Sequence, residues 1–172
     1  MKYIEEIDRG MKLLADNNTV IIGQAVRYKG HAITRQAAFW EESKRIELPV
    51  AEEMQTGIAL GMSINGDKIV SIYPRMNFLI CAANQILNHL DKWELMGGGI
   101  PHIILKAVIG SEYPLDPGHQ HKANWASEIS NMCDKINVFN LIYAHQVYPA
   151  YDFCINNKGV HLIIEHGDLY NG

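Results

Sequence analysis

The sequence predicts an α/β fold: three layers, with a largely parallel sheet covered by helices on both faces. Three observations predict it. Short β-branched runs alternate along the chain with stretches of helical periodicity. The runs are apolar nearly throughout, as strands buried on both faces should be. The 172 residues are enough for one domain with a real core and too few for two comfortable ones, so residues 1–172 are read as a single domain.

The elements follow in order. Ile4, Ile7, Met11 and Leu14 are at helical spacing, predicting an amphipathic helix over 3–16. Thr19–Ile22 is a β-branched run ended by Gly23, a buried strand. Gly23–Glu47 is the least readable stretch and is expected to be a long loop with a short helix around 34–42. A helix over Glu52–Asn65 follows Pro49 and stops at Asn65-Gly66. Lys68–Tyr73 is the next strand. Phe78, Ala82, Ile86, Leu90 and Trp93 predict a long helix over 77–95, ended by Gly97-Gly98-Gly99. Ile103–Ile109 reads as a strand, and 110–122 as a loop containing Gly110, Pro114, Pro117 and Gly118. A helix near 123–133 and strands at Asn137–Tyr143 and Val160–Glu165 complete the pattern.

Composition excludes several function classes. Apolar residues make up 48% and charged residues 20%, ordinary for a soluble globular protein. Net charge is −4, with Lys and Arg scattered, so there is no nucleic-acid footprint. No apolar run approaches the ~20 residues of a membrane span. The first residues, MKYIEEIDRG, carry acids where a signal peptide is basic and then apolar. Cys81, Cys133 and Cys154 are odd in number and widely spaced, which fits reduced thiols in the cytoplasm; all three read as small buried hydrophobes.

In open parallel sheets, ligands bind outside the carboxyl ends of the strands. Attention therefore falls on the start of the helix at 52, the turn before 78 and the loop at 110–122. Glu52 and Glu53 lie in a first helical turn, where acids interact favourably with the helix N-terminus; a chemical role is the other reading. Gly57 and Gly61 have GxxxG spacing on one helical face, and since glycine costs about 1 kcal/mol in a helix interior, the pair points to close approach of another subunit. On an extended backbone, His119 and His121 at i, i+2 would point the same way and admit a metal; with Asp116 the only acid close by, a polar catalytic or ligand-contact loop and a plain surface loop are the other readings. Phe78 opens a helix at the sheet mouth, where it serves either as core or as a ring face for a planar ligand.

Taken together, these segments resemble one family. The order is Glu52 followed by the GxxxG pair, then Asn77-Phe78 with Gln85-Ile86-Leu87-Asn88 downstream, then Lys92-Trp93-Glu94-Leu95-Met96-Gly97-Gly98-Gly99, then Gln120-His121. The chain is similar to the beta subunit of the decarboxylating component of 2-oxo acid dehydrogenases, and more narrowly to its pyrimidine-binding domain, shared with transketolases. The similarity runs from about Val20 to Tyr170.

The resemblance implies a thiamine-diphosphate site. Glu52 matches the catalytic glutamate that bonds the aminopyrimidine nitrogen, a carboxyl that must exchange a proton near neutral pH, as a water-poor pocket favours. Phe78 matches the aromatic residue stacked on the pyrimidine. His121 matches the active-site histidine that contacts substrate or acyl acceptor, its reference pKa of ~6.5 suiting proton transfer, and Gln120, which precedes it as in the family, is expected to contact the cofactor.

Three departures stand out. The loop Ile109–Gly118 lacks the family's glycine-rich stretch after an arginine. Tyr148–Lys158 is shorter than the corresponding helix. The sequence stops where the family continues into a second, C-terminal α/β domain, which is expected to be absent. Gly167-Asp168 is followed by Leu169, so it is not the Gly-Asp-Gly motif that holds Mg2+ and diphosphate. The resemblance thus implies an alpha-type diphosphate-binding partner subunit that holds most of the Mg2+, around a homodimer core in a heterotetramer. The expected activity is decarboxylation of a 2-oxo acid, or ketol transfer, only with that partner. The alternative is a non-catalytic binding or assembly module that kept the fold.

Overall fold

The structure, a computed structural model, describes residues 2–28, 34–113 and 116–171. Part of the stretch read as a loop after Gly23, together with Pro114 and Leu115 in the 110–122 loop, lies outside the described residues.

Helix α1 (Tyr3–Asp16) buries Tyr3, Glu6, Ile7, Gly10, Met11 and Leu14, a stripe at i, i+3, i+4 spacing. Strand β1 (Val20–Gly23) is buried throughout. Two 3-10 turns, Arg35–Phe39 and Glu42–Lys44, lead into strand β2 (Arg45–Glu47). The sequence did not reveal β2, because three residues with charged ends and half-exposed side chains on a sheet edge carry no periodic signal. Helix α2 (Glu52–Ile64) and strand β3 (Ile69–Tyr73) lie within a residue of expectation.

The long helix expected over 77–95 is instead broken. Helix α3 (Met76–Ile80) gives way to a turn and then to a π-helical segment, Gln85–Leu90, in which Asp91 N–H donates to Ile86 O at 3.0 Å. One wider turn preserves an apolar face, so periodicity alone reads through it. Gly97, at φ +87, ends the segment, and Gly98 N–H reaches back to Trp93 O at 3.0 Å.

Strand β4 (His102–Ile109) has all eight residues buried. After the 3-10 turn His119–His121 come α4 (Ala126–Met132), β5 (Ile136–Leu141), α5 (Ala144–Asn156), β6 (Gly159–His166) and a last 3-10 turn, Gly167–Asn171. Periodicity did not mark α5; Pro149 lies inside it, and only the family resemblance placed a helix there.

The six strands form one wholly parallel sheet in the order β2-β1-β3-β4-β6-β5. β4 pairs with β6 over their full length, from His102↔Gly159 to Ile109↔His166. One face carries α1 and α5 against Ile21, Val70, Ile72, Ile104 and Ile163. The other carries α2, α3, the π segment and α4 against Val20, Ile22, Ile69, Ile103 and Leu105. Burying each such side chain stabilises by about 1.5–3 kcal/mol. Among the described residues, no helix is long and apolar enough to cross a membrane. The cysteines divide: Cys154 is buried, Cys133 is intermediate and Cys81 is exposed, which corrects the reading of all three as core. Cys81 caps the C-terminal end of α3.

Candidate active site

The β1–β2 connection runs one way along the sheet, and β3 returns on the other side of β1. That reversal falls at the carboxyl ends of β1 and β3, the ordinary ligand position in open parallel sheets. Gln24 follows β1, Glu52 follows β2, Asn77 and Phe78 follow β3, and His121 follows β4. The segments that follow four adjacent strands thus bring Gln24, Glu52, Asn77, Phe78 and His121 to one edge of the sheet.

The loop after β1 is pinned. Glu47 accepts the backbone N–H groups of Ala25 at 2.7 Å and Arg27 at 3.0 Å, and Ala25 holds a positive φ of 59°. Gly23 ends β1 at φ +143, where a Cβ would stand 2.6 Å from Ile72 O, so only glycine lets β1 lie this close to β3. Gln24 is thereby placed to donate from Nε2 to Glu52 Oε1 at 3.2 Å.

Glu52 is the first residue of α2 and is 8% exposed. Behind it, the buried stripe of α2 opens with polar side chains. Thr56 Oγ1 donates to Glu52 O at 2.8 Å and lies 2.6 Å from the Tyr73 hydroxyl. Burial raises the Tyr73 phenol, and the Glu52 charge adds to that, so the hydroxyl stays neutral. Gln55 Nε2 bonds Ser71 Oγ at 2.9 Å and Ile72 O at 3.0 Å, while its Oε1 is buried with no hydrogen-bond partner.

Phe78 and His121 meet. Their ring centroids are 5.5 Å apart at 61°, an edge-on contact, and His121 Nδ1 lies 2.8 Å from Asn77 Oδ1. The loop folds back onto β4 because Gly110 N–H donates to His121 O at 2.9 Å; a Cβ at Gly110 would fall 2.4 Å from that oxygen. His119 and His121 lie on a 3-10 turn, not a strand. With three residues per turn, side chains two apart diverge, so the aligned pair expected from strand geometry is not formed. Gln120 is exposed, and among the described residues no hydrogen bond or ring contact joins it to Glu52, Phe78 or His121. Asp168 accepts Glu112 N–H at 2.7 Å, tying the loop after β4 to the turn after β6.

A family model, the transketolase pyrimidine binding domain, matches residues 10–171. The chain belongs to the transketolase pyrimidine-binding domain family. Within this family it is a distant homologue of pyruvate dehydrogenase beta subunits over most of its length. It is 26% identical over 162 residues to the pyruvate dehydrogenase E1 component subunit beta of Cyanidium caldarium, covering 91% of this chain and 48% of that protein. The corresponding protein of Chaetosphaeridium globosum is 24% identical over 162 residues, again covering 91% and 48%. The chain spans about half the length of these relatives. Among solved structures, a split gene transketolase described as an inactive beta4 tetramer superposes with a TM-score of 0.72 at 16% identity, over 96% of this chain and 51% of that one. That likeness concerns the fold. Membership in the pyrimidine-binding family implies thiamine diphosphate as the ligand.

Sequence reasoning did not single out Gln24, Gln55, Thr56 or Tyr73. A signal was present for two of them. The buried stripe of α2 runs through 52, 55, 56, 59, 60 and 63, and its first three residues are polar where a core stripe should be apolar.

Proposed function

We propose that this chain is the pyrimidine-binding subunit of a thiamine-diphosphate-dependent enzyme acting on a 2-oxo acid or ketose, active with a diphosphate-binding partner subunit. The observation that carries the reading is Glu52: a carboxylate nine-tenths buried, opening a helix at the reversal point of a parallel sheet, with Gln24 as its side-chain partner.

The donor set fits the cofactor's aminopyrimidine. Glu52 offers a carboxyl to a ring nitrogen, Gln55 keeps an unpartnered amide oxygen behind it, and Phe78 offers a half-exposed ring. When bound, the cofactor supplies carbanion chemistry at a substrate carbonyl. The chain's own residues orient and move protons. Glu52 would hold a proton at the pyrimidine nitrogen, Gln24 would fix its carboxyl, and Phe78 would exclude water from one ring face. His121, beside Phe78, would donate or accept a proton at the substrate or acyl acceptor. Gln120, exposed beside His121, is proposed as a further cofactor contact. Magnesium and diphosphate would be held mainly by the partner subunit.

A relative whose description reads inactive beta4 tetramer supports the need for a second chain. The test is titration of thiamine diphosphate and Mg2+ into this chain with and without the product of its neighbouring gene, followed by hydrogen–deuterium exchange at the thiazolium carbon. Binding and exchange are expected only with both chains, and Glu52→Gln should abolish exchange while sparing assembly. A pair that binds no cofactor would leave the assembly-module reading in its place.

A further inference from the structure

We propose that Asn77 is a positioning residue that fixes the tautomer of His121, leaving Nε2 as the proton acceptor of the ring. Its consequence for turnover rests on the function proposed above; the tautomer itself does not.

The geometry is local and specific. Asn77 Oδ1 stands 2.8 Å from His121 Nδ1. An amide oxygen only accepts, so the imidazole proton resides on Nδ1 and Nε2 keeps its lone pair. The ring is constrained from other sides as well. Phe78, the next residue in α3, meets it edge-on at 5.5 Å. The His121 backbone is held by Gly110 N–H on its carbonyl and by its own N–H on Gly118 O at 3.1 Å. The two partners are 44 residues apart in sequence, joined only because β3 and β4 are neighbours in the sheet. A neutral amide in this position orients the ring without adding charge. A carboxylate there would also orient it, but would hold the imidazolium form.

The experiment uses the full chain with 15N-labelled histidine, read by long-range proton–nitrogen correlation above the histidine titration range, with His121→Gln assigning the signal. The wild type should show His121 protonated at Nδ1. Asn77→Leu should shift it toward the Nε2-protonated form that imidazole side chains favour in water. Asn77→Asp, which keeps the acceptor, should retain the Nδ1 proton. A wild-type His121 protonated at Nε2, or an unchanged tautomer in Asn77→Leu, overturns the proposal. Far-UV circular dichroism checks that each variant folds.

In the assembled enzyme, Asn77→Leu should lower kcat by about 100-fold, the lower range for loss of a positioned base, with KM for cofactor little changed. Should the tautomer change as expected while kcat does not, positioning stands and His121 drops out of the reaction. If the assembly binds no cofactor at all, the functional reading fails and the tautomer result is unaffected.

Discussion

The Lys106 ammonium on β4 lies 2.8 Å from Glu165 Oε2 on β6, and neither side chain has any exposed surface. The contact is ionic rather than a well-aligned hydrogen bond. Glu165 also accepts the hydroxyls of Tyr151 on α5 and Tyr170 in the turn Gly167–Asn171. Burial and the Glu165 charge push both phenols well above their ordinary range, so both are neutral donors. The cluster lies on the α1/α5 face and ties α5 and the last turn to the sheet.

Removing one member of a buried pair strands the other charge, at a cost of about 3–5 kcal/mol. Lys106→Met should therefore destabilise the chain by that order in urea unfolding. Adding Glu165→Gln should recover part of the loss, because the unpaired buried charge is gone while the amide oxygen accepts from one tyrosine and the amide N–H can donate to the other hydroxyl. A Lys106→Met variant as stable as wild type would mean the pair contributes nothing.

Two helical glycines should respond oppositely to the same substitution. At Gly10 on α1, a Cβ would lie 2.6 Å from the Tyr151 ring, which Glu165 holds in place. Overpacking of about 1–3 kcal/mol outweighs the gain of about 1 kcal/mol in helix propensity, so Gly10→Ala should lower the Tm. At Gly61 nothing lies within 4 Å, so Gly61→Ala should raise the Tm of the chain alone. If the face carrying Gly57 and Gly61 meets another subunit, Gly61→Leu should yield a smaller species in sedimentation.

How much was legible follows from where each signal resides. Helix α1 and strands β1, β3, β4 and β6 announce themselves because burial imposes a period or a continuous apolar run on their own residues. Strand β2 and helix α5 do not, since one is a half-exposed edge and the other carries Pro149. Glu52 could be found from its place at the start of a helix after Pro49 and from the family resemblance. Gln24 could not, because its partner is 28 residues away and nothing in the local sequence marks the loop after β1 as folding back. Asn77 could be quoted as half of a motif, but its bond to His121 exists only in the assembled sheet.

The three thiols should label in a fixed order. Cys81 is exposed. Burial, reinforced by the Asp91 charge, pushes the Cys133 thiol up to about 11, and burial pushes Cys154 up too. The thiolate is the nucleophile, so iodoacetamide at mild alkaline pH should modify Cys81 first, Cys133 slowly and Cys154 only on unfolding. Peptide mass spectrometry reads the order, and labelling of Cys154 in the native state would contradict its burial.

Acid should unfold this protein through its histidines. His102 Nε2–H donates to Cys154 O at 2.8 Å, and His161 Nε2–H donates to Asn157 O at 2.8 Å, with His161 Nδ1 accepting from Asn137 at 3.2 Å. Burial pulls His102, His161 and His166 below the ordinary imidazole value, and the His102 charge further opposes protonation of His161. A lowered folded pKa means that the unfolded chain takes up protons first. Stability is therefore fully present above about pH 6.5, the unfolded value, and is lost as pH falls from there toward the folded values. The Tm should be flat from pH 8 to about 7 and decline below about 6.5. His161→Phe, which keeps a ring against Phe153, should start from a lower Tm because Asn137 and Asn157 lose a partner, yet show a shallower decline. An equal slope in that variant would place the acid sensitivity elsewhere.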